Sequence, residues 1–158
     1  MNIGIFTNSY KPINGSGVVH AVESLNFGLH ELGHNVFIFA PDFLGYIDES
    51  PNVFRYPSFN LTGKVKYPIA FPFSAKISKI IKNLKLDIIH SQHPFNLGKK
   101  GAHFAEKYNI PLVFTNHTRY EDYSHYLPFN QTIAKKIIKY IQKKYLSNCD
   151  CVVAPTSS

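Results

Sequence analysis

The sequence predicts an α/β fold, a doubly wound parallel sheet covered by helices on both faces, and three observations predict it. Six short apolar runs recur along the chain. Between most of them lie segments whose apolar residues step by three and four, the period of a helix with one buried face. Glycine, proline and aspartate close these segments, as expected where helices and strands end. Strands that alternate with helices imply right-handed crossovers and parallel pairing.

Taken in order, Ile3 to Thr7 is a short apolar run that ends in the turn-rich stretch Asn8 to Gly17. Val18 to Leu32 carries apolar residues at 18, 22, 25, 29 and 32, which make one helical stripe. Gly33 stops that helix, and Asn35 to Ala40 forms a strand closed by Pro41 and Asp42. Val53 to Tyr56 is the third strand. Pro57 to Ser74 shows no clear period and is rich in aromatics, including Phe59, Tyr67, Phe71 and Phe73, so a long irregular insert is expected there. Ala75 to Leu84 reads as a helix with Ile77, Ile80, Ile81 and Leu84 inward, and Asp87 to His90 as a buried strand. Phe95 to Tyr108 is a helix, Leu112 to Thr115 a strand, Gln131 to Leu146 a lysine-rich helix and Cys151 to Ala154 the last strand. The expected strand order is 3-2-1-4-5-6. Ligands of such sheets collect outside the carboxyl ends of the strands, where the winding direction reverses between strands 1 and 4.

The chain has 158 residues, 44% hydrophobic and 17% charged, which suits one globular domain over residues 1–158. No apolar run approaches the roughly 18 residues of a membrane span. The start has no basic leader followed by a long apolar stretch, so a cytoplasmic protein is expected. Cys149 and Cys151 read as small buried thiols, and the Asn-x-Ser/Thr matches at Asn14, Asn60, Asn116 and Asn130 as chance. Seventeen Lys and Arg against ten Asp and Glu give a formal net charge of +7. The excess is clustered. Arg55, Lys64, Lys66, Lys76, Lys79, Lys82 and Lys85 fall in one stretch without an acidic residue, and Lys135, Lys136, Lys139, Lys143 and Lys144 fall on one helix. Such patches attract polyanions, and their near-exclusive use of lysine favours diffuse surface attraction over the reading of base edges. Nucleic acid is not expected as a partner.

Three loops follow the strands that flank the expected crevice. The first ends Asn14-Gly15-Ser16-Gly17 just before a helix, so backbone N–H groups and the positive helix end can approach a phosphate. A plain turn with a helix cap accounts for the same residues. The second reads His90-Ser91-Gln92-His93-Pro94, and the third, Asn116 to His125, runs from Asn116-His117-Thr118-Arg119 through Tyr120-Glu121-Asp122 to His125. Three histidines thus fall at two strand ends where the topology already puts a ligand. No metal is expected, because His90 and His93 have no third and fourth ligand at a suitable spacing. His117 is the favoured functional imidazole, able to hydrogen-bond a sugar hydroxyl.

The Ile-Gly-Ile-Phe-Thr strand, the loop with Tyr10-x-Pro12 and Asn14-Gly15, His90-Ser91-Gln92-His93-Pro94 and Thr115-x-His117-Thr118 together resemble the N-terminal, Rossmann-like half of glycosyltransferase family 4, retaining enzymes of GT-B fold. Tyr120-Glu121-Asp122-Tyr123, His125-Tyr126 and the insert Tyr67 to Phe73 are most similar to bacterial enzymes that glucosylate diacylglycerol or its monoglucosyl product. The resemblance implies an acceptor-side domain whose donor-binding partner half lies outside this sequence, so the chain alone is expected to transfer no sugar. It implies no cofactor beyond the nucleotide-sugar substrate, with UDP-glucose the donor expected. It places Asn14, Gly15, Ser16 and Gly17 at the donor phosphates and sugar, although Ser16 splits a glycine pair that is contiguous in the family. It makes His117 the catalytic-site histidine beside the transferred sugar, and Tyr10, His90, Gln92, His93, Arg119, Glu121 and Asp122 acceptor contacts.

A lipid acceptor implies work at an anionic membrane surface, on the inner face of the cell membrane. On the lysine-rich helix, Ile133, Ile137 and Ile141 step by four and are expected to face the sheet, leaving the five lysines for the bilayer. The alternatives are a family 4 enzyme with a soluble or polysaccharide acceptor, and a non-catalytic basic module that binds anionic surfaces or nucleic acid.

Overall fold

The computed structural model describes residues 1–13, 15–61, 67–118, 120 and 130–154. Asn14, Arg119, Glu121 and Asp122, named above as site residues, lie outside the described residues, as do Lys64 and Lys66. The elements run β1 (Asn2–Phe6), α1 (Gly17–Glu31), β2 (Asn35–Pro41), β3 (Val53–Tyr56), β4 (Ser58–Leu61), β5 (Tyr67–Ala70), α2 (Ala75–Leu84), β6 (Ile88–Ser91), α3 (Leu97–Tyr108), β7 (Leu112–Thr115), α4 (Gln131–Leu146) and β8 (Cys151–Val153).

Six strands form one parallel sheet in the order β3-β2-β1-β6-β7-β8, the doubly wound arrangement the sequence predicts. The alternation of side chains along each strand sorts the core into two clusters. On one face Ile3, Ile5, Val36 and Ile38 pack with Val22 of α1, with Val18, Leu25 and Leu29 against them. On the other, Phe6, Phe39, Ile89, Leu112 and Phe114 meet Ile77 and Ile81 of α2, Leu97 and Phe104 of α3, and Ile138 and Tyr145 of α4. Phe6 stacks on Phe39 with ring centroids 4.5 Å apart. The helix therefore changes face between β1 and β6, and a crevice opens there at the strand ends.

Three expectations about the elements need correction, the first being the buried thiols: Cys151 is exposed on β8 and Cys149 is only partly buried. The stretch from Pro57 to Ser74 is not irregular throughout: β4 and β5 pair antiparallel as a separate two-stranded ribbon, with Phe59 opposite Ile69 and Ser58 opposite Ala70. Its alternation is real but inverted in polarity. Pro68 and Ala70 point inward while the large Phe59 and Ile69 are exposed, so no conventional pattern marks the strands. On α4, Ile133 and Ile137 are 55% and 45% exposed, whereas Ala134, Ile138 and Tyr145 are buried. The buried face steps 134, 138, 141, 145. A strict step of four drifts by about 40° per turn, and an alanine and a tyrosine gave too little hydrophobic signal to reveal the correct stripe.

Candidate active site at the carboxyl ends of the strands

β1 ends at Phe6, and the residues just beyond it are fixed by hydrogen bonds. Thr7 N–H donates to Phe39 O at 3.0 Å, extending the ladder to β2, and the buried Thr7 hydroxyl donates to Ser9 O at 2.8 Å. Asn8 then bridges to the loop after β6. Its backbone N–H donates to His93 Nδ1 at 3.2 Å, its Nδ2 donates to Phe95 O at 3.1 Å, and its Oδ1 accepts from Leu97 N at 3.0 Å. The last of these satisfies an N–H of the first turn of α3, a donor that helix geometry leaves unpaired. Sequence reasoning missed Asn8; an Asn directly after the first strand was the available signal.

The loop after β6 is packed from within. Gln92 N–H donates to Phe6 O at 2.9 Å, so the residue continues the β6–β1 pairing at the crevice, and Ser91 Oγ donates to His93 O at 2.8 Å. Gly98 leaves no room for a side chain, because a Cβ there would overlap the His93 carbonyl and lie 2.7 Å from Ser91 Oγ. Glycine at this position lets α3 close down on the loop.

The three histidines come together here. His117, just past β7, places Nε2 2.6 Å from Gln92 Oε1, and His90 Nε2 lies 2.8 Å from Thr115 Oγ1 at the end of β7. Burial pushes His90 and His93 down to about 4, and the nearby His117 adds to the effect on both. Burial also lowers His117. The cluster is therefore uncharged at neutral pH, able to hydrogen-bond hydroxyl groups but not to neutralise an anion.

The glycine loop after β1 is different. Gly15 has φ +76°, a conformation that favours glycine, and both Gly15 and Gly17 face open space. Ser16 is the N-cap of α1, but its side chain makes no capping bond and instead lies 3.3 Å from Ser9 Oγ. The first turn of α1 has no acidic residue and no side-chain cap, so its N–H groups are presented without a protein acceptor from that serine.

Tyr10, expected as an acceptor contact, is only 6% exposed, and its ring belongs to the α1-side core cluster. Arg55 is also corrected from a surface cation to a fixed one. It pairs with Asp48 through Nε at 2.8 Å and a terminal nitrogen at 2.6 Å. It also donates to Pro41 O and Lys11 O, and it lies 5.5 Å from the ring centres of Tyr10 and Tyr46. These bonds tie the glycine loop to β2 and β3, and nothing in the spacing of Arg55 announced them. Lys135, Lys136, Lys139, Lys143 and Lys144 are all exposed on α4. Among the described residues no helix is long and apolar enough to cross a membrane, and no group of three or more His, Cys, Asp or Glu is arranged to hold a metal. A groove of about 800 Å³ between α3 and α4, lined by Ala102, Ile110, Tyr140 and Ile141 among others, opens near the amino ends of β7 and β8, far along the sheet from the crevice.

The chain is 36% identical over 163 residues to an alpha-monoglucosyldiacylglycerol synthase of Acholeplasma laidlawii, covering 99% of this chain and 41% of that protein. It is 36% identical over 159 residues to the synthase of the same name from Streptococcus pneumoniae, covering 99% of this chain and 35% of the relative. A GDP-mannose-dependent alpha-mannosyltransferase of Mycolicibacterium smegmatis is 24% identical over 164 residues, all of this chain and 43% of that protein. The chain thus spans about two fifths or less of the length of the two synthases. With the profile described as Glycosyltransferase Family 4 matching residues 15–158 and the doubly wound fold in place, the chain belongs to glycosyltransferase family 4.

Proposed function

We propose that this chain is the acceptor-side half of a retaining glycosyltransferase that moves glucose from UDP-glucose to a membrane glycerolipid. The observation that carries the reading is the meeting of Gln92, His93, His90 and His117 at the β1–β6 reversal, on strands neighbouring the glycine loop. In this reading Gly15, Ser16, Gly17 and the first turn of α1 meet the donor diphosphate, with Asn14 beside them. His117 lies against the transferred sugar. The acceptor hydroxyl forms its bond to the anomeric carbon on the face from which the diphosphate departs, and the departing phosphate oxygen takes the hydroxyl proton. A neutral imidazole suits this step, because it stabilises hydroxyl groups without competing for the anionic leaving group. His90, His93, Arg119, Glu121 and Asp122 belong to the acceptor side.

A lipid acceptor is supported by the names of the two synthases and by the surface of α4. Exposed Ile133, Ile137 and Tyr140 form a stripe flanked by Lys136, Lys143 and Lys144, the composition of a helix that lies in a bilayer interface. The exposed Phe59, Phe71 and Phe73 of the ribbon region add aromatic surface suited to headgroups. Five lysines near an anionic bilayer are worth about 1 kcal/mol each before screening. Residues 1–158 form one domain in this reading. The donor-binding half is supplied by further chain, and the protein is peripheral on the inner face of the cell membrane.

The test is transfer of radiolabelled glucose from UDP-glucose to diacylglycerol, or to its monoglucosyl product, in anionic vesicles. A longer protein that joins this chain to a donor-binding half is expected to label the lipid, and the 158-residue chain alone to label nothing. Labelling of a soluble sugar with none of the lipid would overturn the acceptor assignment, and turnover by the isolated chain would overturn the division of labour.

A further inference from the structure

Gln92 is 1% exposed and held on three sides. Its backbone N–H donates to Phe6 O at 2.9 Å, its carbonyl accepts the Tyr120 hydroxyl at 3.5 Å, and its Oε1 stands 2.6 Å from His117 Nε2. An amide oxygen only accepts, so with the amide in this orientation the contact requires the imidazole proton on Nε2 and leaves a lone pair on Nδ1. The other end of the amide, Nε2, is buried without a hydrogen-bond partner among the described residues. Turning the amide over would present a donor to His117 and force the ring proton to Nδ1. The orientation of one enclosed side chain therefore decides which hydrogen-bonding character the histidine shows.

We propose that Gln92 is a positioning residue that holds His117 as the neutral Nε2–H tautomer, so that Nδ1 accepts a hydrogen bond from a ligand hydroxyl at the crevice. The tautomer assignment stands on geometry; its use in sugar transfer rests on the function proposed above. Among the described residues His117 adds to the lowering of His90 at the end of β6 and of His93 in the following loop, both kept neutral by burial, while its own lowering has burial as its cause. No ionic partner there competes with Gln92 for the ring proton. This role differs from the acceptor contact expected for Gln92: the residue acts through its neighbour. A carboxylate in its place would accept the same N–H with charge assistance, stabilise the imidazolium, and turn Nδ1 from acceptor into donor.

The experiment is long-range ¹H–¹⁵N NMR of the histidine rings of the 158-residue chain across a pH titration, for the native protein, Gln92→Met and Gln92→Glu. The native ring is expected as the Nε2–H tautomer, neutral at pH 7. Gln92→Met is expected to give a tautomer mixture, and Gln92→Glu to raise the His117 midpoint by one pH unit or more. In the longer protein, Gln92→Met should lower kcat about 10-fold or more with little change in donor KM. The loss in Gln92→Glu should be relieved as pH rises past the new midpoint. An Nδ1–H tautomer in the native chain, or an unmoved midpoint in Gln92→Glu, overturns the assignment. If Gln92→Met fails to fold, the native spectrum and Gln92→Glu still decide. Because the tautomer is read without turnover, failure of glucose transfer would remove the reaction and leave the spectra to judge the side chain.

Discussion

The loop after β1 and the loop after β6 approach the same crevice but are built oppositely. The first is open: Gly15 and Gly17 have free space where a side chain would go, and Ser16 caps nothing. The second is closed: His93 is held by Asn8, Gln92 by Phe6 and His117, and the carbonyl of His93 rests where a Gly98 side chain would stand. The difference teaches that a glycine can serve two purposes in one site. At the open loop it keeps the backbone bare for something to bind; at the closed loop it lets a helix seat against a rigid floor.

Acid should break the contrast most strongly. His90 and His93 titrate near 4 in the folded chain against 6.5 in the unfolded one, so the unfolded state takes up more protons between those values. Stability is fully present above about pH 6.5 and falls as pH drops towards 4, by at most roughly 3 kcal/mol for each histidine. Urea midpoints at pH 7, 5.5 and 4 should show that decline, and a flat profile would contradict the closed-loop description. Next in size, Gly98→Ala should destabilise by about 3 kcal/mol or more, since backbone rather than a pliable side chain opposes the new Cβ. The smallest effects belong to the open loop. Gly15→Ala should cost about 1 kcal/mol through its positive φ, while Gly17→Ala should stay within about 0.5 kcal/mol of the native value. In the longer protein both should raise the donor KM far more than these numbers suggest; thermal melts beside donor titrations would separate the two classes.

The sheet order is legible because inner parallel strands, covered on both faces, need continuous apolar runs, and the helices between them repeat with a readable period; the exposed β8 shares only the apolar run. The crevice follows from that order, and it singles out His90, His93 and His117 from their positions at the strand ends alone. What stayed hidden depends on partners distant in sequence. Asn8 meets residues 85 and more positions away, and Arg55 takes its meaning from Asp48 and two backbone carbonyls. Tyr10 looked like a loop residue because it follows a strand end, yet it packs into the core beneath that loop. The ribbon of β4 and β5 is hidden in the sequence since the large Phe59 and Ile69 are exposed, and the buried face of α4 because Ala134 and Tyr145 carry little of the usual signal.

Asn8 has a mechanical consequence. One side chain and its own amide link three successive points of the opposite loop, His93, Phe95 and Leu97, to the residue just past β1. Whatever pushes on the strand-1 side must drag the amino end of α3 with it, so the two walls behave as a single lever, and displacement at one would be felt at the other without any message crossing the core.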